Sequence, residues 1–111
     1  MRKILIALCL ALCLTGCGKP ANVSEDVYNL GLKAVDVTEQ FLAADLTVDE
    51  AYEKLDDIED RAIIDEDYPK DSSVKGKIGT LAWDVHKSDD VSDGTQVVKD
   101  ELDKLKSYLG K

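Results

Sequence analysis

Apolar side chains recur with helical spacing in four stretches of the chain. In the first, Val27, Leu30, Ala34, Val35, Thr38, Phe41 and Leu42 follow one another at intervals of three and four, with Val37 at the edge of the stripe. Ser24 stands ahead of it as an N-cap, so a helix is predicted from there to about Ala44. Thr47 and Glu50 then form a capping-box pair, in which the hydroxyl accepts from the Glu50 amide and the carboxylate reaches back. Val48, Ala51, Tyr52, Leu55, Ile58 and Ala62 share one face of the helix that this box opens. On its outer side Lys54 can pair with Glu50, and Arg61 with Asp57, at i,i+4. Pro69 cannot continue this helix and biases Tyr68 towards extended backbone, which predicts an end at about Asp65 to Asp67.

After Asp71-Ser72-Ser73, the residues Val74, Ile78, Leu81, Ala82 and Val85 again fall on one helical face, although Gly76 and Gly79 each cost about 1 kcal/mol relative to Ala. A strand reading also fits part of this stretch, because Leu81, Trp83 and Val85 alternate with Thr80, Ala82 and Asp84. In the last stretch Asp93 and Gln96 read as a capping box, Val98, Leu102, Leu105 and Leu109 make the stripe, and Gly110 is placed to close the helix. Every stripe is one-sided and Pro is absent from all four spans. The expected fold of residues 24–111 is therefore all-α, a small up-and-down bundle of about four helices. A chain of 111 residues allows one such domain and no second.

The first residues follow a different logic. Met1-Arg2-Lys3 is cationic, and Ile4 to Leu14 carries no polar side chain except thiols. That run is far shorter than the roughly 20 apolar residues a membrane span requires, and it reads as the core of a signal peptide over residues 1–16. Leu14-Thr15-Gly16-Cys17 follows it directly and resembles the lipobox of bacterial lipoproteins. Cys9 and Cys13 do not fit, since Leu8 and Leu12 precede them where a small residue is required. The resemblance implies cleavage between Gly16 and Cys17 and a diacylglyceryl group on the Cys17 thiol, with residues 17–23 as lipidated cysteine and short linker. It also implies an address on the extracytoplasmic face of a cell membrane or outer membrane; Gly18 does not distinguish the two. Two acyl chains meet the two-signal requirement for stable anchoring.

Loss of Arg2 and Lys3 on cleavage takes the net charge from -9 to -11. So acidic a chain is a poor partner for nucleic acid, whose phosphates need a basic face. A single Cys in the mature chain leaves no disulfide to support the fold.

Four groups of residues carry candidate chemistry. His86 is the only imidazole, with Asp89 and Asp90 one turn beyond it, but no nucleophile or oxyanion loop accompanies it and the chain is not expected to be an enzyme. Asp89, Asp93, Gly94 and Asp100 match four places of a calcium loop, yet Val91 offers no oxygen at the third and Asp replaces the chelating Glu at the last. Asp49, Glu53, Asp56 and Asp60 stack along one edge of the second helix, where they suit either a solvated face or a divalent cation. Trp83 lies about 140° round the third helix from Ile78, on the side of Gly76, Thr80 and Lys87, and an outward Trp marks a partner-binding surface. The expected function is that of a membrane-anchored cell-envelope lipoprotein, monomeric and without cofactor, whose non-catalytic helical domain binds a protein or joins an envelope assembly. The alternative is a divalent-cation-binding module built on the acidic helix face.

Overall fold

The computed structural model describes residues 19–111. The expected signal peptide over residues 1–16, the Leu14-Thr15-Gly16-Cys17 motif and Gly18 lie outside the described residues. Four helices follow in order: α1 (Glu25–Leu42), α2 (Val48–Arg61), α3 (Asp71–Lys87) and α4 (Gly94–Tyr108), with no strand among the described residues. Residues 80 to 85 are therefore helical, inside α3, and the alternating pattern there does not make a strand.

Local sequence sets most helix ends. The Ser24 hydroxyl accepts from the Val27 amide at 3.4 Å at the start of α1. At α2 both bonds of the Thr47–Glu50 capping box form, at 2.9 and 3.1 Å. With its carboxylate drawn back to Thr47, Glu50 makes no ion pair with Lys54, while Arg61 does pair with Asp57 at 3.0 Å. The end of α4 is a Schellman turn: Gly110 takes φ +75°, its amide donates to the Ser107 carbonyl, and that of Lys111 to Lys106. The same pattern closes α1 with Ala44 at φ +66°, where Ala44 donates to Phe41 and Asp45 to Gln40.

Two ends differ from expectation. At α4, Asp93 adopts φ -108°, ψ 23° and makes no side-chain cap bond, because only an extended N-cap aims its carboxylate at the next amides. Gln96 instead donates to Asp100 at 3.0 Å. The α2 helix stops at Arg61, earlier than Asp65, for reasons that are tertiary. The Lys75 ammonium donates to the carbonyls of Glu59 and Ala62, both at 2.7 Å, and takes over the end of the helix from α3.

The core draws on all four stripes: Val27 and Ala34 of α1, Ala51, Leu55 and Ile58 of α2, Val74 to Val85 of α3, and Val98, Leu102 and Leu105 of α4, with Leu109 just beyond it. Tyr28 and Gly31 are buried as well, outside the predicted stripe, Gly31 because the Leu109 side chain packs onto its backbone. Val23 is also fully buried, so the core begins one residue inside the expected linker. Successive helices pack against each other, α1 closes the bundle against α4, and α3 touches all three others.

One end of the bundle is tied by a buried carboxylate. Asp71, at 0% exposure, accepts from the Ser24 amide at 2.8 Å, the Ser24 hydroxyl at 2.6 Å and the Asp65 amide at 3.1 Å. The Lys70 amide donates to Asn22 there, and Pro20 approaches Gly110 at the same end. The start of α1, the α2–α3 connection and the end of α4 thus meet at one pole. Thr47, His86 and Asp89 meet at the other, which gives the up-and-down course expected of the chain. No described helix is long and apolar enough to cross a membrane.

Candidate functional site

Because α3 turns Val74, Ile78, Leu81, Ala82 and Val85 inwards, the residues about 140° away must face outwards. Gly76, Thr80, Trp83 and Lys87 form that outer strip, all exposed, with the Thr80 hydroxyl donating to the Gly76 carbonyl at 3.0 Å. Trp83 stands 55% exposed. The Lys87 ammonium lies over its ring, 4.8 Å from the centroid. His86, one turn on, packs between two aromatic rings tilted against it: 5.7 Å from Trp83 at 38° and 4.7 Å from Tyr52 of α2 at 37°. An aromatic surface therefore runs from α2 to α3 near the pole where α2 starts and α3 ends.

Beside it lies a depression of about 420 Å³ lined by Thr47, Val48, Asp49, His86, Asp89 and Asp90. Its three carboxylates come from the first turn of α2 and from the α3–α4 loop, and all three are exposed. Hydrogen bonds and ion pairs among the described residues leave them free, as Glu39, Asp57 and Glu101 take the ion-paired cations. The fold thus brings the first rung of the α2 carboxylate ladder, Asp49, to a cluster that the chain already holds together, Trp83, His86, Lys87, Asp89 and Asp90. The other rungs, Glu53, Asp56 and Asp60, climb away along α2. Among the described residues no three His, Cys, Asp or Glu side chains converge closely enough to hold a metal ion. Asp93 and Gly94 belong to the start of α4, and Asp100 lies within that helix.

Two carboxyls depart from their ordinary range. Partial burial, and then repulsion from Glu101, push Asp84 up, while Lys104 and Lys77 oppose the change. The Thr47 amide and then its hydroxyl hold Glu50 below the usual carboxylate value. Neither belongs to the aromatic surface.

Compared with models of protein families, with curated proteins and with solved structures, the chain matches none.

The part played by Tyr52 and the packing of His86 had no signal in the helical pattern. Tyr52 reads as a core position, and only the way α2 and α3 pack puts its ring against an imidazole. Asp71 likewise carries no signal in the sequence, since nothing local marks a carboxylate whose partners lie 6 and 47 residues away.

Proposed function

We propose that the chain is a lipid-tethered, non-catalytic binding domain of the bacterial cell envelope, held to a membrane through diacylglyceryl-Cys17 and presenting Trp83 to a protein partner. The observation that carries this reading is the 55% exposure of the only indole on a helix whose other large apolar side chains are buried. The tether supports it. Val23 belongs to the core, its amide donates to the Pro20 carbonyl and the Asn22 carbonyl is bonded to Lys70, so Gly18 to Ala21 are the most that can join Cys17 to the fold. Even fully extended they span about 17 Å, which keeps the Asp71 pole near the bilayer. From Asp71 to His86 the helix rises about 22 Å, and the Trp83 surface then stands at the membrane-distal pole.

The test pairs two variants of the full chain in its native membrane. Cys17→Ser should leave an uncleaved precursor without diacylglycerol. Trp83→Ala should lower the melting temperature by no more than about 8 °C while losing a large share of the partner recovered by cross-linking, since a central Trp contributes about 2 kcal/mol or more to an interface. An unmodified Cys17 thiol in the membrane fraction, or undiminished cross-linking by Trp83→Ala, would overturn the reading.

A further inference from the structure

The Trp83 surface also specifies what kind of partner it fits, and this step rests on the reading just given. We infer that the membrane-distal tip, formed by Tyr52, His86 and Trp83 with Asp49, Asp89 and Asp90, docks a basic segment of a partner protein, a loop or extended stretch bearing arginine.

Three observations converge on that occupant. The aromatic rings run on from a half-buried Tyr52 through an exposed His86 to an exposed Trp83, and a guanidinium stacks on such faces more readily than any other charged group. The Trp83 ring already holds a cation, the Lys87 ammonium, 4.8 Å from its centroid. Directly beside the rings the depression of about 420 Å³ offers three carboxylates with no cation paired to them among the described residues, a volume that admits a guanidinium head. Planar stacking next to carboxylate acceptors is the pairing that arginine satisfies in both respects.

Other occupants meet opposing forces. A second copy of the chain would bring acidic tip against acidic tip. A bilayer lies at the other pole on the reading above, and anionic lipid would be repelled by Asp49, Asp89 and Asp90. Nucleic acid would be repelled for the same reason.

The experiment uses the full lipidated chain in nanodiscs, with Trp83 as its own reporter because the chain has no other Trp. The probes are short peptides alternating Arg and Ser, with Glu–Ser and Gln–Ser peptides as controls. The Arg peptide should change Trp83 emission saturably, the controls should not, and added salt should weaken the response. Asp89→Asn with Asp90→Asn should weaken binding about tenfold, within what two exposed ion pairs hold, whereas Glu66→Gln with Asp67→Asn at the other pole should change it less than about twofold. Lys87→Gln, which uncovers the ring, should tighten it. All these positions are exposed, so folding survives each change.

Equal losses from the two poles, or no response to the Arg peptide, would overturn the inference. If the peptide fails while Trp83→Ala still abolishes partner cross-linking, the binding-domain reading stands and only the basic partner falls. If Trp83→Ala leaves cross-linking intact, the binding-domain reading falls first.

Discussion

Replacing Asp71 by Ala should be among the most damaging single changes outside the apolar core. Its carboxylate is fully buried and accepts three hydrogen bonds, from the Ser24 amide and hydroxyl and from the Asp65 amide. Bonds to a charged acceptor contribute roughly 1.5 to 3 kcal/mol each, but these share one group and do not add. Removing the carboxylate also relieves the cost of having buried it. The net loss expected is about 2 to 4 kcal/mol, because the Ser24 and Asp65 amides remain inside the fold without acceptors. A domain of this size holds about 5 to 14 kcal/mol in all, at roughly 0.05 to 0.15 kcal/mol per residue. Thermal unfolding of the soluble fragment from Gly18 onwards should accordingly start about 10 to 25 °C lower. Far-UV ellipticity is the readout, since the exposed Trp83 senses little of the core. Asp71→Asn keeps one acceptor oxygen and should lose about half as much. In a double-mutant cycle, Ser24→Ala and Asp71→Ala should couple by about 1 kcal/mol or more, because the two share a bond. A loss below about 0.5 kcal/mol for Asp71→Ala, or strict additivity in the cycle, would refute this account of how the pole is tied.

Further outcomes follow from other sites. Leu55→Ala and Leu102→Ala should each cost about 2 to 4 kcal/mol in urea unfolding, as both side chains lie in the core. Ala44→Gly should stabilise by roughly 0.5 to 1 kcal/mol, since Ala44 holds the left-handed position of a Schellman turn at φ +66° and glycine takes that conformation without steric cost. Asp84→Asn should raise Tm at neutral pH. The Asp84 carboxyl is raised in the folded state, so stability falls as pH climbs from the ordinary Asp value through the raised one, and the gain from Asn should vanish as pH drops below that raised value. Glu50 has the opposite sign: its depressed carboxyl contributes stability above the ordinary Glu value that is lost as pH falls through the folded one, so Glu50→Gln should destabilise at neutral pH and not in strong acid.

What the chain discloses on reading, and what it withholds, divides along the range of the interactions involved. The capping box at Thr47, the N-cap at Ser24, the close of α4 at Gly110 and the inward faces of α2, α3 and α4 depend on residues within four or five positions, and all are legible. The outward direction of Trp83 is legible for the same reason, as helical phase fixes it once Ile78 is placed inside. The early end of α2 is not, because Lys75 of α3 supplies the capping ammonium across the bundle. Asp93 matched a local rule and departed from it: the loop brings Gly94 so close to the Ser88 backbone that a side chain on Gly94 would collide with it, and Asp93 is held out of the extended conformation a cap requires. The acidic depression was least visible of all, since its carboxylates come from the first turn of α2 and from the α3–α4 loop, which only the folded bundle brings to one pole.

The placement of Trp83 gains weight from the helix that carries it. Because α3 packs against α1, α2 and α4, most of its circumference is occupied, and the strip through Gly76, Thr80, Trp83 and Lys87 is what remains for solvent. Two of those residues are small, so the indole stands above its own helix, with the Lys87 ammonium over its ring and the His86 ring beside it. Those contacts yield the fold about 1 kcal/mol, much less than the roughly 3 to 5 that a fully buried Trp contributes. The difference is surface still able to leave water when something covers it. Asp71 and Trp83 therefore divide the labour of one helix: the first residue of α3 binds three segments into a rigid pole, and its last turns hold an aromatic face that folding leaves unfinished. Changes at the first should register in stability and those at the second in association, a separation that binding and unfolding measurements on the two variants would show directly.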